Sequence, residues 1–513
     1  MRRRRWHGII ARSIGTAGLI LGGHGLSGQA IAAAAPQAGE IRPLVAGDEP
    51  IVVTRHSIRT HGGPLDYEVR AGRIPIRTDR SGEIRGHIFF TAYIVRRDGP
   101  PRPITFAWNG GPLISSAIVH MEGLAPRRRE GTAMVDNPDT VLTETDLVFM
   151  DPVETGFSRP ARPEFAADFM SMLGDVNATA EFIRAYRARF HTAGQPTFLL
   201  GESYGVFRAA AVADLLTERG SALAGAVLIS GDIPNIPQSP AFYDAMHVPA
   251  RTATAHHYRR LDSALMRDRA ATLREAAAWS RTVYLPALER ADSLDDAERE
   301  TIAAALARYT AFPLARIDRR TLVVHASDYL RFALADDGSE PLSDIDTRIG
   351  QDAPGNNLGD PLLVDRYIRG ELGYATDLTY AGLEKGYAPF PRPRLPTIGD
   401  RWEYNQPGIT PAVIGEMRQT GEVSPLARAN PPWIVNALER NADLRVFVAT
   451  GRFDPLNMCE GNVLATGTLP AALSARITNR CYESGHIIFR EDEARTTFLA
   501  DLRRFFAETA RAP

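Results

Sequence analysis

The chain has 513 residues, 44% of them hydrophobic, and a formal net charge of -2. It is long enough for a catalytic domain with a large insertion. Its balanced charge lacks the electrostatic footprint of a nucleic-acid binder or of a protein held on an anionic membrane, and neither partner is expected.

The first residues join a cationic stretch, Arg2 to Arg5, to a modestly apolar run from Ile14 to Gly23 and then to Ala32–Ala35. This reads as a signal peptide over residues 1–35, cut near Ala35, with twin-arginine export one of the open routes. The alternative is a disordered or membrane-anchored N-terminus, but the apolar run is too short and too glycine-rich to span a bilayer. The mature chain is therefore expected to be exported, periplasmic or secreted, without stable membrane insertion.

From 50 to 108, alternating stretches such as EIRGHIFFTAYIVRR, punctuated by glycine and proline, predict antiparallel strands and hairpins. After 143 the rhythm changes. DLVFMD reads as a strand, FAADFMSMLGDVNATAEFIRAYRARF as a helix, TFLLGES as a strand, VFRAAAVADLLTE as a helix and GAVLISG as a strand. Alternating strand and helix predicts an α/β fold with a doubly wound, mostly parallel sheet. Between 236 and 395 helical segments take over, including SALMRDRAATLREAAAW and SLDDAERETIAAALARYT, the second opened by a capping box at Ser293 and Asp296. This predicts an inserted, mainly helical cap. The core would then comprise 36–235 and 396–513, with strands at LRVFVATG and ARITNRCYESGH and a closing helix at EARTTFLADLRRFFAE. No internal repeat, H-E-x-x-H motif or phosphate loop is present, and neither a metal nor a cofactor is expected.

The stretch TFLLGESYGVFRA places Ser203 between Gly201 and Gly205 at a strand-to-helix junction. Such a nucleophile elbow exposes the hydroxyl and aims the following helix's free N–H groups at a developing oxyanion. Elbow serines draw on an acid and then a histidine later in the chain. Of the downstream histidines, His247, His256, His257 and His325 fall in the cap, whereas His486 follows a strand of the returning sheet. Asp454 ends the loop after LRVFVAT, at the strand end where α/β sites are built. Ser203, Asp454 and His486 are thus the candidate triad; read singly, Asp454 could be a turn aspartate and His486 a structural histidine. A second glycine-rich loop, Asn109-Gly110-Gly111-Pro112, ends the strand ITFAW and supplies candidate oxyanion N–H groups. Two cysteines, Cys459 and Cys481, fit one disulfide in an exported chain, the alternative being two buried thiols.

The segments WNGGP with a following SS, DPVETGFS, GESYG, ATGRFDPLN and ESGH together resemble the serine carboxypeptidase family of the carboxypeptidase Y type, in its bacterial branch. The resemblance implies an α/β-hydrolase fold with a helical cap. It implies removal of single residues from peptides with a free C-terminus, in acid. It implies Ser203, Asp454 and His486 as the triad, the N–H groups of Gly111 and Tyr204 as the oxyanion hole, and Asn109, Glu202 and the N–H of Gly110 as readers of the substrate carboxylate. The chain departs from the family pattern at Leu113, Ile114 and Val206, at Glu154, and at Gly123, which stands where relatives carry a glutamate, with Glu122 one place away. Two other functions remain open on the sequence: an esterase or acyltransferase with the same triad, and a catalytically impaired binding protein.

Overall fold

Val52–Thr60 (β1), Gly63–Arg77 (β2) and Ile84–Ile94 (β3) form consecutive antiparallel pairs, the first closed by a tight turn in which Thr60 faces Gly63. The computed structural model describes residues 49–78, 80–231, 236, 238–334, 340–354, 359–383, 401–406, 408–422 and 424–510. The expected signal peptide and the FPRPRLP segment lie outside them. Among the described residues no helix is long and apolar enough to cross a membrane.

Next come Ile104–Trp108 (β4), a small hairpin of Arg127–Glu130 (β5) and Ala133–Asp136 (β6), then Asp146–Met150 (β7), Arg159–Pro160 (β8), Thr197–Glu202 (β9), Gly225–Ile229 (β10), Arg445–Gly451 (β11) and Ile477–Tyr482 (β12). The main sheet runs β1-β2-β3-β7-β4-β9-β10-β11-β12, with β8 on β3. From β7 through β12 every neighbouring pair is parallel. β4, β7, β9 and β10 are buried along their whole length, which is why they read as unbroken apolar runs. Alternate residues face opposite layers: Phe106, Trp108 and Leu199 join one core, Ala107, Phe198 and Leu200 the other. This is an α/β-hydrolase fold.

Two helices flank the elbow strand, Met172–Phe190 (α1) and Tyr204–Glu218 (α2). The helix expected from Phe165 starts only at Met172. Ser171 accepts the Gly174 N–H and caps it there, and Pro163–Asp168 forms a separate 3-10 turn. Between β10 and β11 lie Pro240–Met246 (α3), Val248–His257 (α4), Arg269–Trp279 (α5), Leu285–Glu289 (α6), Asp296–Thr310 (α7), Ala326–Phe332 (α8), Pro361–Arg366 (α9), Pro411–Thr420 (α10), Ser424–Ala429 (α11) and Trp433–Arg440 (α12). α5 begins later than its apolar pattern suggests because Asp268 caps it through the Ala271 N–H. The capping box of α7 is Asp295 with Glu298, not Ser293 with Asp296: each of the first two side chains accepts the other's backbone N–H, while Ser293 closes a preceding turn. Cys459–Gly467 (α13), Ala471–Ser474 (α14) and Asp492–Thr509 (α15) complete the chain. α15 buries Phe498, Leu502, Phe505 and Phe506. The described residues belong to one compact unit, Gly39–Pro513. Its parallel strands bring the loops after β4, β9, β10, β11 and β12 to one edge of the sheet.

Candidate active site

Ser203 is the single residue between β9 and α2, held at φ 59° and ψ -130°, a left-handed conformation that costs an ordinary residue of order 1–3 kcal/mol. The flanking glycines make the turn sterically open. A Cβ on Gly201 would lie 1.9 Å from the Gly205 carbonyl oxygen, and one on Gly205 would lie 2.9 Å from that of Asn109. The Ser203 N–H donates to Ile229 at the end of β10, 2.9 Å away.

Asp454 and His486 meet because β11 and β12 run parallel, with Thr450 opposite Cys481 and Gly451 opposite Tyr482. His486 Nδ1 lies 2.8 Å from Asp454 Oδ2. A carboxylate there selects the tautomer with the proton on Nδ1 and leaves Nε2 able to accept one. Asp454 is fully buried, and its charge is met by the Leu456 N–H at 2.9 Å and the Asn457 amide at 2.7 Å. Burial pulls the imidazole pKa down, but the charge and hydrogen bond of Asp454, with Glu202 and Asp344 adding their charge, outweigh it and raise the pKa to about 9. Among the described residues the Ser203 hydroxyl makes no hydrogen bond. Such links are often long in unliganded sites and close in the substrate complex. Cys459, at the start of α13, is disulfide-bonded to Cys481 of β12, with Cα atoms 5.7 Å apart, which joins the acid loop to the strand that leads to His486.

The loop after β4 lies directly on the elbow. A Cβ on Gly110 would come within 2.4 Å of the Tyr204 nitrogen, and Gly111, at φ 102°, precedes a cis bond to Pro112. Only glycine permits that approach, and it brings the Gly110-Gly111 backbone beside the free first N–H of α2. Asn109 Oδ1 accepts the N–H groups of Ile118 and Val119 at 3.1 and 3.0 Å, so its amide nitrogen turns to Glu202 and donates to Oε2. Glu202 is 2% exposed. Burial raises its pKa and the charge of Glu122 adds to the rise, against the opposing pull of His486, Asn109 and Arg490.

Residues 65–275 match the family model for serine carboxypeptidases. Over that stretch the chain is similar to the serine carboxypeptidase family. Solved structures similar to it include a prohormone-processing carboxypeptidase from Saccharomyces cerevisiae, 14% identical with a TM-score of 0.48 over 85% of this chain and 91% of that one. Another is a proline iminopeptidase from Mycobacterium smegmatis, 13% identical with a TM-score of 0.34 over 86% and 98% of the two chains. Among curated proteins none matches the chain.

Four of the departures from the serine carboxypeptidase pattern can be placed in the structure. Leu113, Ile114 and Val206 are core residues. A Cβ on Gly123 would sit 2.4 Å from the Phe489 ring, so no glutamate fits there. Its neighbour Glu122 is buried and paired with Arg129 at 2.7 Å and Arg490 at 2.8 Å, close enough to act on Glu202. Several supporting residues carried no sequence signal. Ser230 sits at φ 51° just past β10, donates to the His486 carbonyl and accepts from the Asn457 amide. Asp151 of DPVETGFS accepts both the N–H and the hydroxyl of Ser116, each at 2.7 Å, tying two of the family segments together. One group among the described residues has metal-ligand spacing: Asp244, His325 and Glu422, with ligand atoms within 4.8 Å of one another. Arg251 already balances part of its charge.

Proposed function

We propose that this hydrolase removes the C-terminal residue of peptides through an acyl-enzyme on Ser203. His486 Nε2 takes the Ser203 proton as Oγ attacks the scissile carbonyl, and Asp454 steadies the imidazolium. The N–H groups of Gly111 and Tyr204 receive the oxyanion. His486 passes its proton to the departing amino group, then activates the water that releases the acyl group. The substrate's terminal carboxylate meets Asn109, the Gly110 N–H and a protonated Glu202.

The observation that carries the exopeptidase reading is the buried Glu202–Asn109 pair next to the nucleophile. A carboxyl group kept neutral by burial can donate to a carboxylate, and once ionised it repels one. Substrate binding should therefore be strongest in acid. The raised imidazole works against turnover in acid, so the acid preference belongs to binding and the chemical step improves as pH rises. The disulfide and the N-terminal pattern support export to an oxidising compartment, periplasmic or outside the cell. Blocked dipeptides compared with their C-terminal amides and with simple esters, alongside fluorophosphonate labelling, test the reading. Preference for the free acid supports it. Equal cleavage of acid and amide, or ester hydrolysis alone, defeats it in favour of an esterase, and a folded protein without labelling marks an impaired site.

A further inference from the structure

Arg208, one turn into α2, is completely buried and touches no surface. Its Nε donates to Asp175 of α1 at 2.7 Å. Its two terminal nitrogens donate to backbone carbonyls on either side of Gly110-Gly111: Nη1 to Asn109 at 2.6 Å and Nη2 to Pro112 at 3.1 Å. Burying an arginine this deeply is costly unless every donor finds a partner and a counter-ion stands by. Here each of the three nitrogens has an acceptor and Asp175 is the counter-ion, and two of the acceptors are the ends of the loop that carries the proposed carboxylate and oxyanion donors.

A trans peptide unit points its C=O and N–H in opposite directions. Holding the Asn109 carbonyl against Arg208 turns the Gly110 N–H away from α2, to the side on which the substrate carboxylate is proposed to lie. The Gly110 carbonyl is fixed in turn by the Ile114 N–H at 3.1 Å, which orients the Gly111 N–H. Without the guanidinium, the carbonyls of Asn109 and Pro112 would be buried acceptors lacking this donor, and they could rotate toward the site, where their partial negative charge opposes both an oxyanion and a carboxylate.

We infer that Arg208 is a positioning residue: its guanidinium, anchored by Asp175, clamps the Asn109 and Pro112 carbonyls and so sets the direction of the N–H groups that read the substrate's C-terminus. This inference rests on the carboxypeptidase reading above. Arg208→Lys keeps a charge for Asp175 but offers a point donor that cannot span two carbonyls. The readout is the ratio of kcat/KM for a blocked dipeptide to that for its amide, with each rate normalised to sites titrated by a fluorophosphonate. Partial unfolding lowers both rates together and leaves the ratio unchanged. A mispointed loop narrows it, by about ten-fold or more if donors move by a fraction of an ångström. An unchanged ratio in folded Arg208→Lys overturns the inference. Should that variant fail to fold, Asp175→Asn, which loosens the guanidinium in place, is measured in the same way, with a narrowed ratio supporting the clamp and an unchanged one refuting it. A wild-type enzyme that cleaves acid and amide equally removes the carboxylate reading itself, and the clamp with it. A wild type that discriminates, with variants that discriminate as well, removes only the clamp.

Discussion

Glu202 and His486 are buried ionisable groups that influence one another, and both have raised pKa values for different reasons: burial for Glu202, the carboxylate of Asp454 for His486. With Glu202 above its ordinary 4.5, KM for a free-acid peptide should climb as pH rises through that raised value and the proton is lost. With His486 near 9 in the free enzyme, the chemical step should still be gaining at pH values where an ordinary histidine is already neutral. Glu202→Gln keeps a donor without an ionisable proton, so its KM should stay flat with pH while kcat remains within about ten-fold of wild type; a KM profile that follows the wild type counts against the role. Ser203→Ala and His486→Ala should each lower kcat by at least about 10^4-fold and together cost little more than either alone, because the pair acts as one unit. Steady-state kinetics on the double mutant reads this, and additive losses would separate the two residues.

At the level of elements, a few short connections decide the geometry: the one-residue elbow between β9 and α2, the glycine loop after β4, and the disulfide between α13 and β12. Cys459 and Cys481 close a loop of sequence separation 22, for which a cross-link contributes about 3 kcal/mol by limiting the unfolded chain. Cys459→Ser with Cys481→Ser should lower thermal stability and also loosen the support of the acid and histidine loops. Differential scanning calorimetry gives the first effect and hydrogen exchange over 452–458 and 483–487 the second. A melting temperature within about 1 °C of wild type would show that the surrounding packing holds the loops without the bond. The helix starts illustrate what local chemistry adds to periodicity. Ser171, Asp268 and Asp295 each begin a helix where a side chain takes a free N–H, several residues past the first apolar position in two of the three cases.

Across the whole molecule, the sheet edge carries the candidate site, and among the described residues helices α3 to α12 lie between β10 and β11. Within that stretch Glu422 is 8% exposed. Burial pushes its pKa up, but an ion pair with His325 at 3.7 Å and the charges of His247 and Arg251 overcome this and hold it at about 2. A carboxylate depressed in the folded state stabilises above its unfolded value and loses that contribution as pH falls. Helices α8, α10 and α11 should therefore loosen between about pH 4.5 and 2, by at most about 3 kcal/mol, and Glu422→Gln should abolish the step. Hydrogen exchange of α8, α10 and α11 across that range checks it, and identical acid profiles for mutant and wild type would exclude Glu422 as the cause. The sequence by itself determined the class of fold and the candidate nucleophile. Strand runs, helix periods and the glycine–serine–glycine junction are all local, written within a dozen or so residues, and chain order then singled out Asp454 and His486. Only the tertiary structure decided what holds them. Arg208 reaches Asn109 across 99 positions, Asn457 reaches Ser230 across 227, and Ser230 reaches His486 across 256. Gly123 excludes a glutamate only because Phe489 packs on it from the far end of the chain. A hydrogen bond or steric contact depends on where two backbones come to lie, and for partners so distant in sequence that is fixed by sheet order and packing, which no local pattern of residues encodes.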